Sequence, residues 1–134
     1  MSSAASIVPV ITRSVAVLGG LIGACVVLGE GDTSNVLLVI VGMMFAGWAM
    51  APFALAWVAA AKVKTILAAQ LIVLAAAVAA VGLSVAVYWP TFVDNAKPDA
   101  QDGLVLLFVP IYQLAGIALA VVAANFVARR FAKT

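Results

Sequence analysis

Few side chains in this sequence are equipped for chemistry, and they sit among apolar neighbours. The densest group is Pro110-Ile111-Tyr112-Gln113. Proline has no backbone N–H, so Pro110 leaves a carbonyl about one turn earlier, near Leu106, without its helical partner. Gln113 adds two donors and an acceptor, and Tyr112 a phenolic hydroxyl. Together they could line the path of a neutral or weakly polar solute. The plainer role for a buried amide is a hydrogen bond between helices, a contact of about 0.6–2 kcal/mol. Gln70 is a second such amide, with Gln113, Arg13 or a backbone carbonyl as candidate partners. Pro52 lies in the middle of another apolar run and is expected to kink it. Arg13 is the one charge well inside an apolar run, and its stem is long enough to return the guanidinium to a membrane surface.

Other chemistries are excluded by what is missing. There is no histidine, and Cys25 is the single cysteine. That removes the commonest metal and haem ligand, the commonest general base and any intrachain disulfide. No Asp or Glu falls within an apolar run, where a proton-coupled carrier keeps its proton-binding carboxylate. Small multidrug resistance transporters have this size and helix count, but they depend on a glutamate in the first helix, and this sequence has none. No phosphate-binding glycine loop or nucleophile elbow occurs. Asp94, Asp99 and Asp102 lack the spacing of a calcium loop and read as solvated loop and capping residues. The expectation is a protein that is not an enzyme and has no cofactor, metal site or nucleic-acid partner.

Composition dictates the elements that hold these groups. Of 134 residues, 67% are apolar and 9% charged, and the mean hydropathy is +1.28. That leaves too little polar surface for a protein in water, where about a quarter of residues are charged. A helix crossing lipid needs about 20 mostly apolar residues. Four runs qualify: Ile7–Gly29, Asn35–Ala61, Thr65–Trp89 and Gly103–Ala128. The fold class expected is an all-α integral membrane protein, a single four-helix bundle of two antiparallel hairpins, Ile7–Ala61 and Thr65–Ala128.

The connections fit this division. Glu30-Gly31-Asp32-Thr33-Ser34 is a polar turn, and Thr33, Ser34 or Asn35 can cap the second helix. Lys62-Val63-Lys64 is short, which makes the second and third helices expected antiparallel neighbours. It contains neither Gly nor Pro, so the break is expected because two lysines must reach an interface. Trp89-Pro90 is expected to stop the third helix, and Asp99 or Asp102 to cap the fourth. Ile22-Gly23-Ala24-Cys25 resembles a lipoprotein cleavage box, but Val26-Val27-Leu28 carries the apolar run onward, so a helix through Cys25 is expected.

Charges sort by side. With the amino terminus inside, Arg13, Lys62, Lys64, Arg129, Arg130 and Lys133 fall near the cytoplasmic face, while Lys97 and all acids (Glu30, Asp32, Asp94, Asp99 and Asp102) fall outside. This bias predicts both termini in the cytoplasm, and the Ala- and Val-rich composition suggests a bacterial inner membrane. Tyr88, Trp89 and Phe92 are expected at the outer interface, with Trp57, Phe126 and Phe131 toward the inner one. Gly19 with Gly23, and Gly42 with Ala46, have the four-residue spacing that lets helix backbones approach. Residues 35–42 and 103–110 also align as a faint repeat, with Gly42 and Pro110 at matching depth.

Functionally, the helix faces suggest an accessory or scaffold subunit that packs against a membrane-protein partner or itself. The alternative is a small oligomeric channel or carrier lined by Gln113, Tyr112 and Gln70. A third is a holin-like permeabilising protein, suggested by size and the basic tail.

Overall fold

The computed structural model of the chain describes residues 3–31, 33–63, 66–93 and 101–131. Asp32, Lys64, Thr65, Asp94, Lys97, Asp99 and Lys133 lie outside the described residues. The chain forms α1 (Ser3–Glu30), α2 (Val36–Lys62), α3 (Leu67–Tyr88) and α4 (Asp102–Phe131). All four are long and apolar enough to cross a membrane. At 1.5 Å per residue they reach about 40–45 Å, counting the turn that extends α3. That exceeds a hydrocarbon layer of about 30 Å, so the helices run past the apolar stretches that mark them in the sequence. α1 therefore starts at Ser3 rather than Ile7, and α4 continues to Phe131 rather than Ala128.

The helix ends follow local chemistry. Asn35 caps α2, its side-chain oxygen accepting from the Leu37 N–H at 2.9 Å. Asp102 is the first residue of α4, and a carboxylate in the first turn suits the helix dipole. α2 ends at Lys62 and α3 begins at Leu67, with no Gly or Pro at the break. Trp89-Pro90 does not end the helical path. α-Helical bonding stops at Tyr88, and the chain winds one wider π-helical turn, Trp89–Val93. Pro90 has no N–H to continue the ladder, and the Thr91 hydroxyl donates to the Val87 carbonyl at 2.7 Å instead.

Each helix packs along two others: α1 on α2 and α3, and α4 on α3 and α2. α2 and α3 meet far less, although only a short connection joins them. The close pairing expected of them is therefore not how the bundle is built. They face each other across its diagonal, which is about 11–14 Å when neighbouring axes are 8–10 Å apart. The five steps from Lys62 to Leu67 can span about 17 Å, more than that diagonal.

The interior is made mainly of small residues. A central layer joins Ala16, Phe53, Ala56, Ala77, Ala80 and Ile117, one or more from every helix. On one side lies a layer of Ala59, Val63, Ala69, Val73, Ala124 and Ala128. On the other, Val27 meets Ala46 and Ala49, and Tyr88 and Phe92 meet Val109. Tyr88 and Phe92 thus point inward, with ring centroids 6.2 Å apart, and only Trp89 of the expected outer trio is exposed. Tyr88 continues the inward stripe of Ala77, Ala80 and Ser84 at helical spacing, and one residue further on the helix turns about 100° away.

Gly19 and Gly23 explain the close approach of α1 to α2. A methyl group at Gly19 would meet Phe53 Cδ1 and Cζ at 2.6 and 2.7 Å, and one at Gly23 would meet Ala49 Cβ at 3.3 Å. The Gly42–Ala46 pair behaves differently. Ala46 is buried against α1, but a methyl at Gly42 would meet nothing within 4 Å. Gly42 lies level with Glu30 and Gly31, where α1 ends and offers no facing turn. Described charges divide between the ends: Lys62, Arg129 and Arg130 with the start of α1 at one, Glu30 and Asp102 at the other. Gly19→Ala should therefore lower unfolding stability in mild detergent by about 1–3 kcal/mol through overpacking on Phe53. Gly42→Ala should stay within about 0.5 kcal/mol of the parent, with thermal unfolding of both variants as the readout.

Candidate functional site

The α3–α4 interface holds the most polar joint inside the bundle. Gln113 projects from α4 toward α3 and is 3% exposed. Its Nε2 donates to the Ala80 carbonyl at 2.8 Å and to the Ser84 hydroxyl at 2.7 Å. Both partners lie on the inward stripe of α3, one turn apart, so one amide bridges two successive turns. The Gln113 Oε1 is buried and accepts no hydrogen bond among the described residues. Ser84 did not stand out in the sequence. A lone hydroxyl in an otherwise Ala-, Val- and Leu-rich helix was the signal that could have found it.

Gln70 does not meet Gln113. It is fully buried in the first turn of α3, and its Nε2 donates to the Val63 carbonyl at 2.8 Å. It ties the start of α3 to the link from α2, the backbone-carbonyl alternative among its expected partners. Tyr112 is 67% exposed on the outer face of α4. It joins Gln113, Ala76, Ala79, Leu83 and Gly116 around an open groove of about 240 Å³ between α3 and α4. Gln70 is not part of that groove.

Pro110 and Pro52 are both buried inside helices that continue through them. In the turn that Pro110 loosens, the Trp48 indole N–H of α2 donates to the Leu107 carbonyl at 3.1 Å. Pro110 leaves the Leu106 carbonyl, four residues back, without its backbone N–H, and the indole takes the next carbonyl of the same turn, a donor that the sequence does not mark. An indole in an apolar helix needs an acceptor, and a proline-containing helix nearby can offer one.

Arg13 is half-buried on α1, its guanidinium carbon 5.6 Å from the centre of the Trp57 ring on α2. The distance fits a cation–π contact. Trp57 lies five residues before Lys62, so Arg13 sits about 7–8 Å from the end of α2 along its axis. Among the described residues no group of three His, Cys, Asp or Glu side chains could hold a metal ion. No known protein-family model, curated protein or solved structure matches the chain.

The polar joint is chemically suited to fixing helix register. Gln113→Leu should cost about 0.6–2 kcal/mol of stability. Ser84→Ala should cost less, because the amide keeps the Ala80 carbonyl. A double-mutant cycle read by unfolding in detergent should show coupling between the two positions. Strict additivity would mean that the Gln113–Ser84 contact contributes nothing.

Proposed function

We propose that this chain is a non-catalytic integral membrane protein of the bacterial inner membrane, folded as two antiparallel hairpins with both termini cytoplasmic. In this reading it serves as an accessory or scaffold subunit, packing its helices against a membrane-protein partner or against copies of itself. The observation that carries the reading is where the polar groups go. The donors of Gln113 and Gln70 are taken up by backbone and hydroxyl partners inside the bundle. Large apolar side chains such as Met43, Met44, Leu119, Val122 and Phe126 face outward. Such a surface suits lipid or another apolar helix. The basic end would face the cytoplasm under the positive-inside rule.

The α3–α4 groove gives this surface a seat. Its floor includes Ala76, Ala79 and Gly116, and a methyl group at Gly116 would meet nothing within 4 Å. Small residues of this kind let a second helix approach closely. Purification from the native membrane in mild detergent, followed by native mass determination, should yield a stoichiometric complex with a larger partner or a defined homo-oligomer. Gly116→Leu should dissociate it while leaving the helical content of the monomer unchanged. A monomer with no partner at every protein concentration would overturn the reading.

A specific observation favours a channel or carrier as second reading. Tyr112 and Gln113 share this groove, and the Gln113 Oε1 accepts no hydrogen bond among the described residues. If they line a solute path, Gln113→Leu should abolish flux into proteoliposomes at unchanged expression. Equal flux in parent and variant would remove this reading.

A further inference from the structure

The α1–α2 face presents a feature that the scaffold reading does not use. Beside Arg13 lies an open trough of about 600 Å³, lined by Val10, Ser14, Val17, Leu18 and Trp57. Val17 and Trp57 also border a second, almost wholly apolar trough of about 210 Å³, which runs on past Gly20, Leu21 and Met50. The two form one groove with a cation at its outer end and hydrocarbon beyond. From the level of Arg13 to that of Leu21 the groove runs about 12 Å along α1. Gly20 keeps its floor low. A methyl there would touch Met50 Cγ and Phe53 Cβ at 3.8 Å, so small additions fit and large ones fill the space.

The charge at the outer end is incompletely satisfied. The Arg13 Nε is buried and makes no hydrogen bond among the described residues. The described acids, Glu30 and Asp102, lie at the far end of the bundle. Trp57 lies against the guanidinium by its ring face, which leaves the terminal N–H groups to bind an acceptor in their plane.

We propose that this groove is a binding site for one anionic phospholipid. Its phosphate sits on Arg13, and one acyl chain lies along Val17, Gly20, Leu21 and Met50. The charge pattern selects an anionic lipid over a zwitterionic one. Arg13 attracts the phosphate, and no described carboxylate stands nearby to receive a choline or ethanolamine cation.

The test is native mass spectrometry of the full chain in neutral detergent, titrated with phosphatidylglycerol or phosphatidylcholine. The parent should retain one phosphatidylglycerol, at about five- to tenfold lower lipid concentration than phosphatidylcholine. Arg13→Gln should erase that preference, and Arg13→Lys should keep part of it. Gly20→Leu should weaken retention of both lipids with the charge intact. Arg129→Gln combined with Arg130→Gln should change nothing. Helical circular dichroism and monodisperse elution establish that each variant is folded, and a misfolded Arg13→Gln leaves Arg13→Lys and Gly20→Leu to decide. An unchanged preference in Arg13→Gln would overturn the proposal, as would its loss in the Arg129/Arg130 variant. Displacement of the lipid by equimolar inorganic phosphate would also overturn it, because the acyl chain would then contribute nothing.

Discussion

The seat of the Phe53 ring over Gly19 is the constraint on which the bundle depends. Phe53 is the largest side chain of the central layer, where all four helices contribute a residue. Its ring occupies the volume that any side chain at position 19 would take. The spacing of α1 from α2, and the room left for Ala77, Ala80 and Ile117 opposite, follow from that one fit. In lipid there is no hydrophobic driving force to press helices together, because the solvent is as apolar as the side chains. Close packing at such contacts must do that work, which is why the interior is built largely from Ala, Gly and Val around Phe53 while most Leu and Met side chains face out.

The same inversion explains what the sequence shows plainly. Four apolar runs of spanning length, the polar cluster that ends in the Asn35 cap and the break after Lys62 are readable because each reflects a demand of the lipid on single segments. Satisfying the backbone inside hydrocarbon forces long helices, and charges must leave it. Whether the bundle sits in a particular membrane and orientation is a further inference, resting on the separation of basic from acidic ends.

Relations between helices are less legible. A short link between α2 and α3 reads as adjacency, yet a few extended residues reach the diagonal as easily as the edge. Gly42–Ala46 has the same spacing as Gly19–Gly23, but spacing does not say whether a neighbour is present at that height. Gln113 and Gln70 are visible as amides in need of partners, whereas their partners are not. Ser84 and the Ala80 and Val63 carbonyls carry little signal of their own. Trp48 gives no such signal, because its acceptor, the Leu107 carbonyl, belongs to another helix far along the chain. Tyr88 and Trp89 are adjacent in sequence and opposite in direction, a difference set by helical phase rather than residue type.

The diagonal link between α2 and α3 has a consequence for how the chain can be made. The packing of α1 with α2 and of α3 with α4 lies within sequence-contiguous halves, and at the link Val63 packs with Ala59, Ala69 and Val73 while its carbonyl accepts from Gln70. Each half carries its own helix pair, while α1 also packs on α3 and α2 on α4. Continuity of the polypeptide at residues 63–66 then serves mainly to keep the halves in equal number and in the same place. Two separately encoded halves would still meet through the central layer, the layer of Ala59, Val63, Ala69, Val73, Ala124 and Ala128, and the Trp48–Leu107 hydrogen bond, and the covalent connection would be replaced by their local concentration in the membrane plane.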